Sequence, residues 1–223
     1  MAMVYNHDSG RVEFINGTGW APSGLTKELI VNKHGGTMPR YGPLSIVVPG
    51  MVGGTYALWQ RHGSMEWRDL LRPAARLAEA GLPVMPRLES ALNSLREAFH
   101  DDETARTYFA NRWGRIDMRR LSKTISGIAE AGPSFFYEEV GEAITEYVNS
   151  MGGVFSISDF RDYAPEWREP LKAEYRGYTV FESPPNSQGL TTLIILKDVE
   201  SRGLPVNAKE RIDVLLDIYG KAY

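Results

Sequence analysis

Apolar positions recur along this chain with two different spacings, and the change from one to the other organises it. Near the start, Met3-Val4-Tyr5 and Val12-Glu13-Phe14-Ile15 are short runs of β-branched and aromatic residues. The connector Asn6-His7-Asp8-Ser9-Gly10 has turn chemistry, with Gly10 able to take positive φ, so a β-hairpin is expected. A two-stranded hairpin is marginal by itself. This one is therefore expected to pair with strands outside the chain or beyond these residues. From Gly17 to Gly54 glycines and prolines break any period, and only residues 25–31 and 44–48 look regular.

From Tyr56 the spacing becomes helical. Residues 66–80 follow Ser64, a residue suited to N-capping, and Pro73 would kink or divide that helix. Residues 87–100 repeat Leu88, Leu92, Leu95 and Phe99 at helical intervals. Helices over 119–131 and 135–151 follow, separated by Gly132-Pro133-Ser134 and closed by Gly152-Gly153. A short acidic helix is expected at 158–163. A second hairpin is expected from 171–175 and 178–182 around Arg176-Gly177, and an apolar helix from Leu190. In the last segment, 208–223, Ile212, Leu215, Leu216, Tyr219 and Tyr223 share one helical stripe, with no Gly, Asn or Pro terminator after it. The first strand opens almost at residue 1. Both ends read as cuts within a longer chain. The organisation expected is one segment: an N-terminal hairpin over 1–16, a helical body over 51–163, and a second hairpin with helices over 169–223.

Composition narrows the chemistry. The chain has 223 residues, 43% of them apolar, with a net charge of −3. Acids and bases are interleaved, which gives no footprint for nucleic acid or an anionic membrane surface. The absence of cysteine excludes disulfides, thiolate metal sites and a Cys nucleophile. The longest apolar runs fall far short of a membrane span. The N-terminus has neither a basic region nor a long apolar one, so the compartment stays open with a lean toward the cytoplasm.

The four histidines (7, 34, 62 and 100) lack metal-ligand spacing, and His7 and His62 read as solvated, so no metal is expected. There is no G-x-S-x-G elbow, P-loop or dinucleotide fingerprint, and no cofactor is expected. Gly50-Met51-Val52-Gly53-Gly54 lacks the ending of a phosphate cradle and instead suits close backbone approach at a turn or helix start. Asp101-Asp102-Glu103 reads as a solvated cap, and Glu138, Glu139, Glu142 and Glu146 as an exposed acidic face. The tryptophans at 20, 59, 67, 113 and 167 read as packing residues. Chemistry alone defines a mostly helical domain and no more.

Three ordered stretches say more. The first is Tyr41-Gly42-Pro43-Leu44-Ser45-Ile46-Val47-Val48-Pro49-Gly50, followed by Arg61-His62-Gly63, by Trp67-Arg68-Asp69-Leu70-Leu71-Arg72-Pro73-Ala74 and by Glu79-Ala80-Gly81. The second is Ile128-Ala129-Glu130-Ala131-Gly132-Pro133-Ser134-Phe135-Phe136-Tyr137, followed by Met151-Gly152-Gly153 and Ser158-Asp159-Phe160. The third is Tyr175-Arg176-Gly177-Tyr178 leading to Pro184-Pro185-Asn186-Ser187-Gln188-Gly189. In this order they resemble the gamma-glutamyltransferase family, which includes cephalosporin acylases. The resemblance runs through the chain and points to the large-subunit portion.

The resemblance implies an α+β fold, the αββα sandwich of the N-terminal nucleophile hydrolases, of which this is the mostly helical part. It implies a precursor that cuts itself ahead of a threonine. That residue's α-amine, with an ordinary pKa near ~8, then serves as base for its own hydroxyl. An acyl-enzyme forms and passes to water or an amine acceptor, with an oxyanion hole stabilising the tetrahedral states. The partners implied are a small-molecule amide, a small subunit from the same precursor, and further copies in an oligomer. No Thr-Thr-His or Thr-Ser-His string occurs, and Thr191-Thr192 fall inside an expected helix, so the nucleophile is expected outside these residues.

One position departs from the family pattern. The family's transferases carry an arginine in an R-E-x-A-P string that clamps the donor's α-carboxylate. Aligning on Ala21-Pro22 puts Thr18 there, within Asn16-Gly17-Thr18-Gly19-Trp20-Ala21-Pro22. A hydroxyl cannot make the bidentate, charge-assisted pair. Thr18 and Trp20 are the substrate-pocket candidates, with a plain structural turn as the alternative. A non-catalytic scaffold or interaction domain on the same fold, and an unrelated helical module, stay as competing readings.

Overall fold

The computed structural model describes residues 1–94 and 115–223. Contacts divide them into two compact units: Trp20–Tyr163, and Met1–Gly19 together with Ala164–Tyr223.

In the first unit, α1 (Lys27–His34) is capped by Thr26, whose hydroxyl accepts the Leu29 N–H at 3.2 Å, and closed by Gly35 at φ 61°. The regular stretch expected at 25–31 is thus a helix displaced toward the C-terminus. Of residues 44–48, the first two end a 3₁₀ turn, Pro43–Ser45, and the rest are irregular. Helix α2 (Met51–His62) contains both Gly53 and Gly54. The close approach expected of these glycines is to side chains rather than backbone. A Cβ on Gly53 would stand 2.9 Å from the Tyr137 hydroxyl and 3.0 Å from the Tyr163 ring.

Helix α3 (Trp67–Glu79) differs from expectation in two ways. Its N-cap is Glu66 with no side-chain bond, so Ser64 does not cap it, and it runs unbroken through Pro73. Burial explains its persistence: Trp67, Ala75 and Ala78 are buried, and the Trp67 indole donates to the Ile128 carbonyl at 3.0 Å. Helix α4 spans Pro86–Ser94. The remainder of the helix expected at 87–100, with Leu95 and Phe99, lies outside the described residues, as do His100, the acidic run at 101–103 and Trp113. Leu82–Pro83 pairs antiparallel with Arg115–Ile116, and α5 (Arg119–Ala131) packs along α3.

The single helix expected over 135–151 is three pieces: a turn at Pro133–Phe135, a π-helical turn at Phe136–Val140, and α6 (Gly141–Ser150). The widened turn carries Tyr137. Its buried hydroxyl accepts the Gly53 N–H at 3.0 Å and donates to the Pro49 carbonyl at 3.0 Å. Glu138, Glu139, Glu142 and Glu146 form the expected exposed face. Helix α7 (Ile157–Arg161) is set by a capping box between Ser156 and Asp159. The core gathers Val48, Val52, Trp67, Ile128, Tyr137, Val148, Phe155 and Phe160. His7 and His34 are exposed, but His62, at the end of α2, is half-buried rather than solvated.

The second unit holds the expected hairpin. Strands β1 (Ala2–Asn6) and β2 (Arg11–Asn16) pair from Ala2↔Ile15 to Asn6↔Arg11, with Gly10 at φ 66° in the turn. The hairpin does not stand alone within the chain, so its marginal stability no longer requires outside strands. Strand β3 (Glu166–Arg168) joins β2 in the register Phe14↔Arg168, Ile15↔Trp167 and Asn16↔Glu166. Three residues are too few to display a period of two in the sequence. Phe14 and Ile15, consecutive residues of the central strand β2, are each 1% exposed.

Strands β4 (Leu171–Tyr175) and β5 (Tyr178–Glu182) form the second hairpin, with positive φ at Arg176 and Gly177 as a two-residue primed turn demands. Helix α8 (Gly189–Arg202) packs on them and on α9 (Ala208–Ala222), which Asn207 caps. In α9 the packed residue is Ile218. Ile212, Leu216, Tyr219 and Tyr223 from the sequence stripe are all exposed.

Candidate functional site

Strand β2 runs out at Asn16, and its last residues turn through buried Gly17 to Thr18. The Asn16 side-chain oxygen accepts the Thr18 N–H at 3.2 Å and the Thr18 hydroxyl at 2.6 Å. This Asx turn fixes Thr18 against its own strand. From the loop ahead of α8, the Asn186 amide donates to the Thr18 hydroxyl at 3.1 Å. Its oxygen accepts from the Asn16 amide at 3.2 Å. Asn16, Thr18 and Asn186 thus close a ring of neutral hydrogen bonds.

The loop is itself tied down. Ser187 donates to the Ser183 carbonyl at 2.8 Å and accepts the Gly189 N–H at 3.1 Å. A Cβ at Gly189 would lie 2.3 Å from the Ser183 carbonyl oxygen, so only glycine fits there. Arg168 on β3 donates to the Pro185 carbonyl at 3.1 Å and pairs with Glu166. Tyr223 donates to the Gln188 side chain.

Trp20 opens the other unit. Its indole N–H donates to the Asp159 carbonyl at 3.0 Å, and its ring meets Tyr163 edge-on with centroids 5.2 Å apart. Its carbonyl accepts the Val48 N–H at 2.9 Å, yet the residue stays 38% exposed. Asp159 is 8% exposed, and its two oxygens accept the Ser23 N–H at 3.0 Å and the Ser156 N–H at 2.8 Å. Burial works against its charge, but the N–H groups of Ser156 and Ser23 win, and the carboxyl titrates below its ordinary range. Burial holds the Tyr137 phenol well above its own.

Sequence reasoning singled out Thr18 and Trp20. The division between units falls between them, after Gly19. Their partners Asn16, Asn186 and Asp159 went unassigned, although Asn186 sits in the Pro-Pro-Asn-Ser-Gln-Gly string and Asp159 in Ser-Asp-Phe. Either motif could have flagged them. Two cations nearby in sequence are both exposed: Lys27 at the start of α1, and Arg40, which lies over the Tyr41 ring at 5.5 Å. No group of metal-ligating side chains occurs among the described residues, and no helix there is long and apolar enough to cross a membrane. Chemically, the ring around Thr18 offers neutral donors and acceptors and the surface at Trp20 an aromatic face. Thr192 sits inside α8, where its hydroxyl donates to the Gln188 carbonyl at 3.4 Å.

The fold is that of the N-terminal nucleophile hydrolases. The crystal structure of Helicobacter pylori gamma-glutamyltranspeptidase matches all of this chain with a TM-score of 0.91 at 27% identity, over 68% of its own chain. Cephalosporin acylase from Bacillus halodurans matches 99% of this chain with a TM-score of 0.84 at 30% identity, over 44% of its own. Residues 1–222 match the family model for gamma-glutamyltranspeptidase, and the chain belongs to that family of enzymes. The glutathione hydrolase-like YwrD proenzyme of Bacillus subtilis is 30% identical over 207 residues, covering 89% of this chain and 39% of that protein. Glutathione hydrolase 2 of Arabidopsis thaliana is 33% identical over 172 residues, 74% of this chain and 30% of that protein. The chain thus spans well under half of these curated relatives. Family membership removes the unrelated helical module.

Proposed function

We propose that these residues are the large-subunit portion of an N-terminal-nucleophile amidase whose donor carries no α-amino-acid head. The acyl group passes to a threonine outside these residues, supplied by a small subunit of the same precursor, and leaves to water or an amine. Thr18 in one unit and Trp20 in the other are each proposed to contact the acyl group. Asn16 and Asn186 complete the neutral ring around Thr18.

That ring is the observation that carries the reading. Thr18 stands where the family's transferases have arginine, and its hydroxyl already donates to Asn16 and accepts from Asn186. Nothing in the ring supplies positive charge for a carboxylate. A charge-assisted hydrogen bond is worth about 1.5–3 kcal/mol. At ~1.4 kcal/mol per decade, its loss weakens preference for γ-glutamyl donors roughly ten- to hundredfold relative to a transferase.

The test compares kcat/KM for γ-glutamyl and n-butyryl anilides, the second lacking the carboxylate, in the intact enzyme and in Thr18→Arg. The wild type is expected to favour the butyryl donor, and Thr18→Arg to shift the ratio back toward γ-glutamyl. A wild type that strongly prefers γ-glutamyl and is indifferent to Thr18→Arg overturns the reading.

A further inference from the structure

An exposed tryptophan is ordinarily mobile, held only by the fraction of its ring that packs. Trp20 combines 38% exposure with restraint on three sides. The indole N–H is bonded to the Asp159 carbonyl at 3.0 Å, the ring edge rests on Tyr163, and the backbone carbonyl is bonded to Val48. Val48 and Phe160, the neighbours of these anchors in sequence or contact, are 0% exposed. Three residues beyond Trp20, the Ser23 N–H ends on the Asp159 carboxylate at 3.0 Å. One residue therefore grips both ends of the segment from Trp20 to Ser23, through its backbone at one end and its side chain at the other.

Asp159 is itself fixed. Its second oxygen closes the capping box of α7 on the Ser156 N–H at 2.8 Å. Tyr163, at the other end of that short helix, reaches the Gly50 carbonyl at 3.4 Å. The grip is therefore anchored to the core.

We infer that Asp159 is a positioning residue for acyl selectivity: it holds the Trp20 indole as a rigid apolar wall that favours flat, uncharged acyl groups. The inference rests on the reading above that Trp20 contacts the acyl group. The physical advantage is preorganisation. An aromatic side chain ordered before the ligand arrives loses no rotamer freedom on binding, so apolar contact converts more fully into affinity. A structural cap alone would need the Ser156 bond. It would not need the bonds to Trp20 and Ser23.

The experiment is a double-mutant cycle in the intact enzyme with Trp20→Ala, Asp159→Ala and the pair, plus Asp159→Asn. kcat and KM are read for phenylacetyl and γ-glutamyl anilides. Trp20→Ala is expected to lower kcat/KM for the phenylacetyl donor while sparing the γ-glutamyl one. Asp159→Ala should raise KM for phenylacetyl about two- to tenfold, the scale of immobilising one side chain, with kcat nearly unchanged. The pair should be no worse than Trp20→Ala alone, because without the ring there is no wall left for the Asp159 side chain to steady through Ser23. Both Asp159 variants keep the backbone carbonyl that the indole bonds to, and Asp159→Asn also keeps the shape and one acceptor oxygen, so it should give a smaller rise of the same kind. It carries the test if Asp159→Ala does not fold.

A Trp20 effect without any Asp159 effect, additive changes, or an equal loss for both donors sinks the positioning role alone. If Trp20→Ala leaves the donor ratio unchanged, the acyl contact assigned to Trp20 falls and takes this inference with it.

Discussion

Tyr137 shows what a single polar atom does in this core. Its hydroxyl is the acceptor for the Gly53 N–H and the donor to the Pro49 carbonyl, and the residue is 7% exposed. Tyr137→Phe leaves a buried donor and acceptor without partners, which costs about 1–3 kcal/mol. Urea unfolding of the variant should register that loss, and a change below ~0.5 kcal/mol would show that water or a backbone shift replaces the hydroxyl. The sequence named Thr18 and Trp20, but the groups that fix them were out of its reach. Asn16 and Asn186 are 170 positions apart, and Trp20 and Asp159 are 139 apart. Hydrogen bonds over such separations leave no local spacing to read.

At the scale of elements, legibility followed local chemistry. Helix α5 and both hairpins lie close to where periodicity and turn residues put them, because their signals are contained within one turn or a few residues. Strand β3 and the π turn were missed because pairing and packing decide them. Pro73 is a conflict between the two levels. It lacks the N–H that would bond to Asp69, and a proline inside a helix costs about 3 kcal/mol relative to alanine. Helix α3 persists because its buried face packs against α5. Pro73→Ala is therefore expected to stabilise the protein by about 1–3 kcal/mol. A thermal-denaturation midpoint that does not rise would mean that the Pro73 ring is itself required for that packing.

For the whole molecule, the chain leaves the β1–β2 hairpin at Gly19, builds the unit Trp20–Tyr163, and returns at Ala164 to add β3 to the same sheet. The proposal that the nucleophile lies outside these residues has a direct consequence. Residues 1–223 expressed alone should turn over neither γ-glutamyl nor glutaryl anilides. Turnover clearly above background would place a nucleophile within them.

Periods, caps and turn residues determined most helices and both hairpins from the sequence, because each depends on neighbours a few positions away. Ordered motifs also marked the family. Tertiary structure alone decided the third strand, the ring that engages the Thr18 hydroxyl, and the buried face of α9, where Ile218 packs while Ile212, Leu216, Tyr219 and Tyr223 stay exposed. The reason is physical: these depend on which distant backbone and side-chain groups meet, and that is settled only when the chain closes on itself.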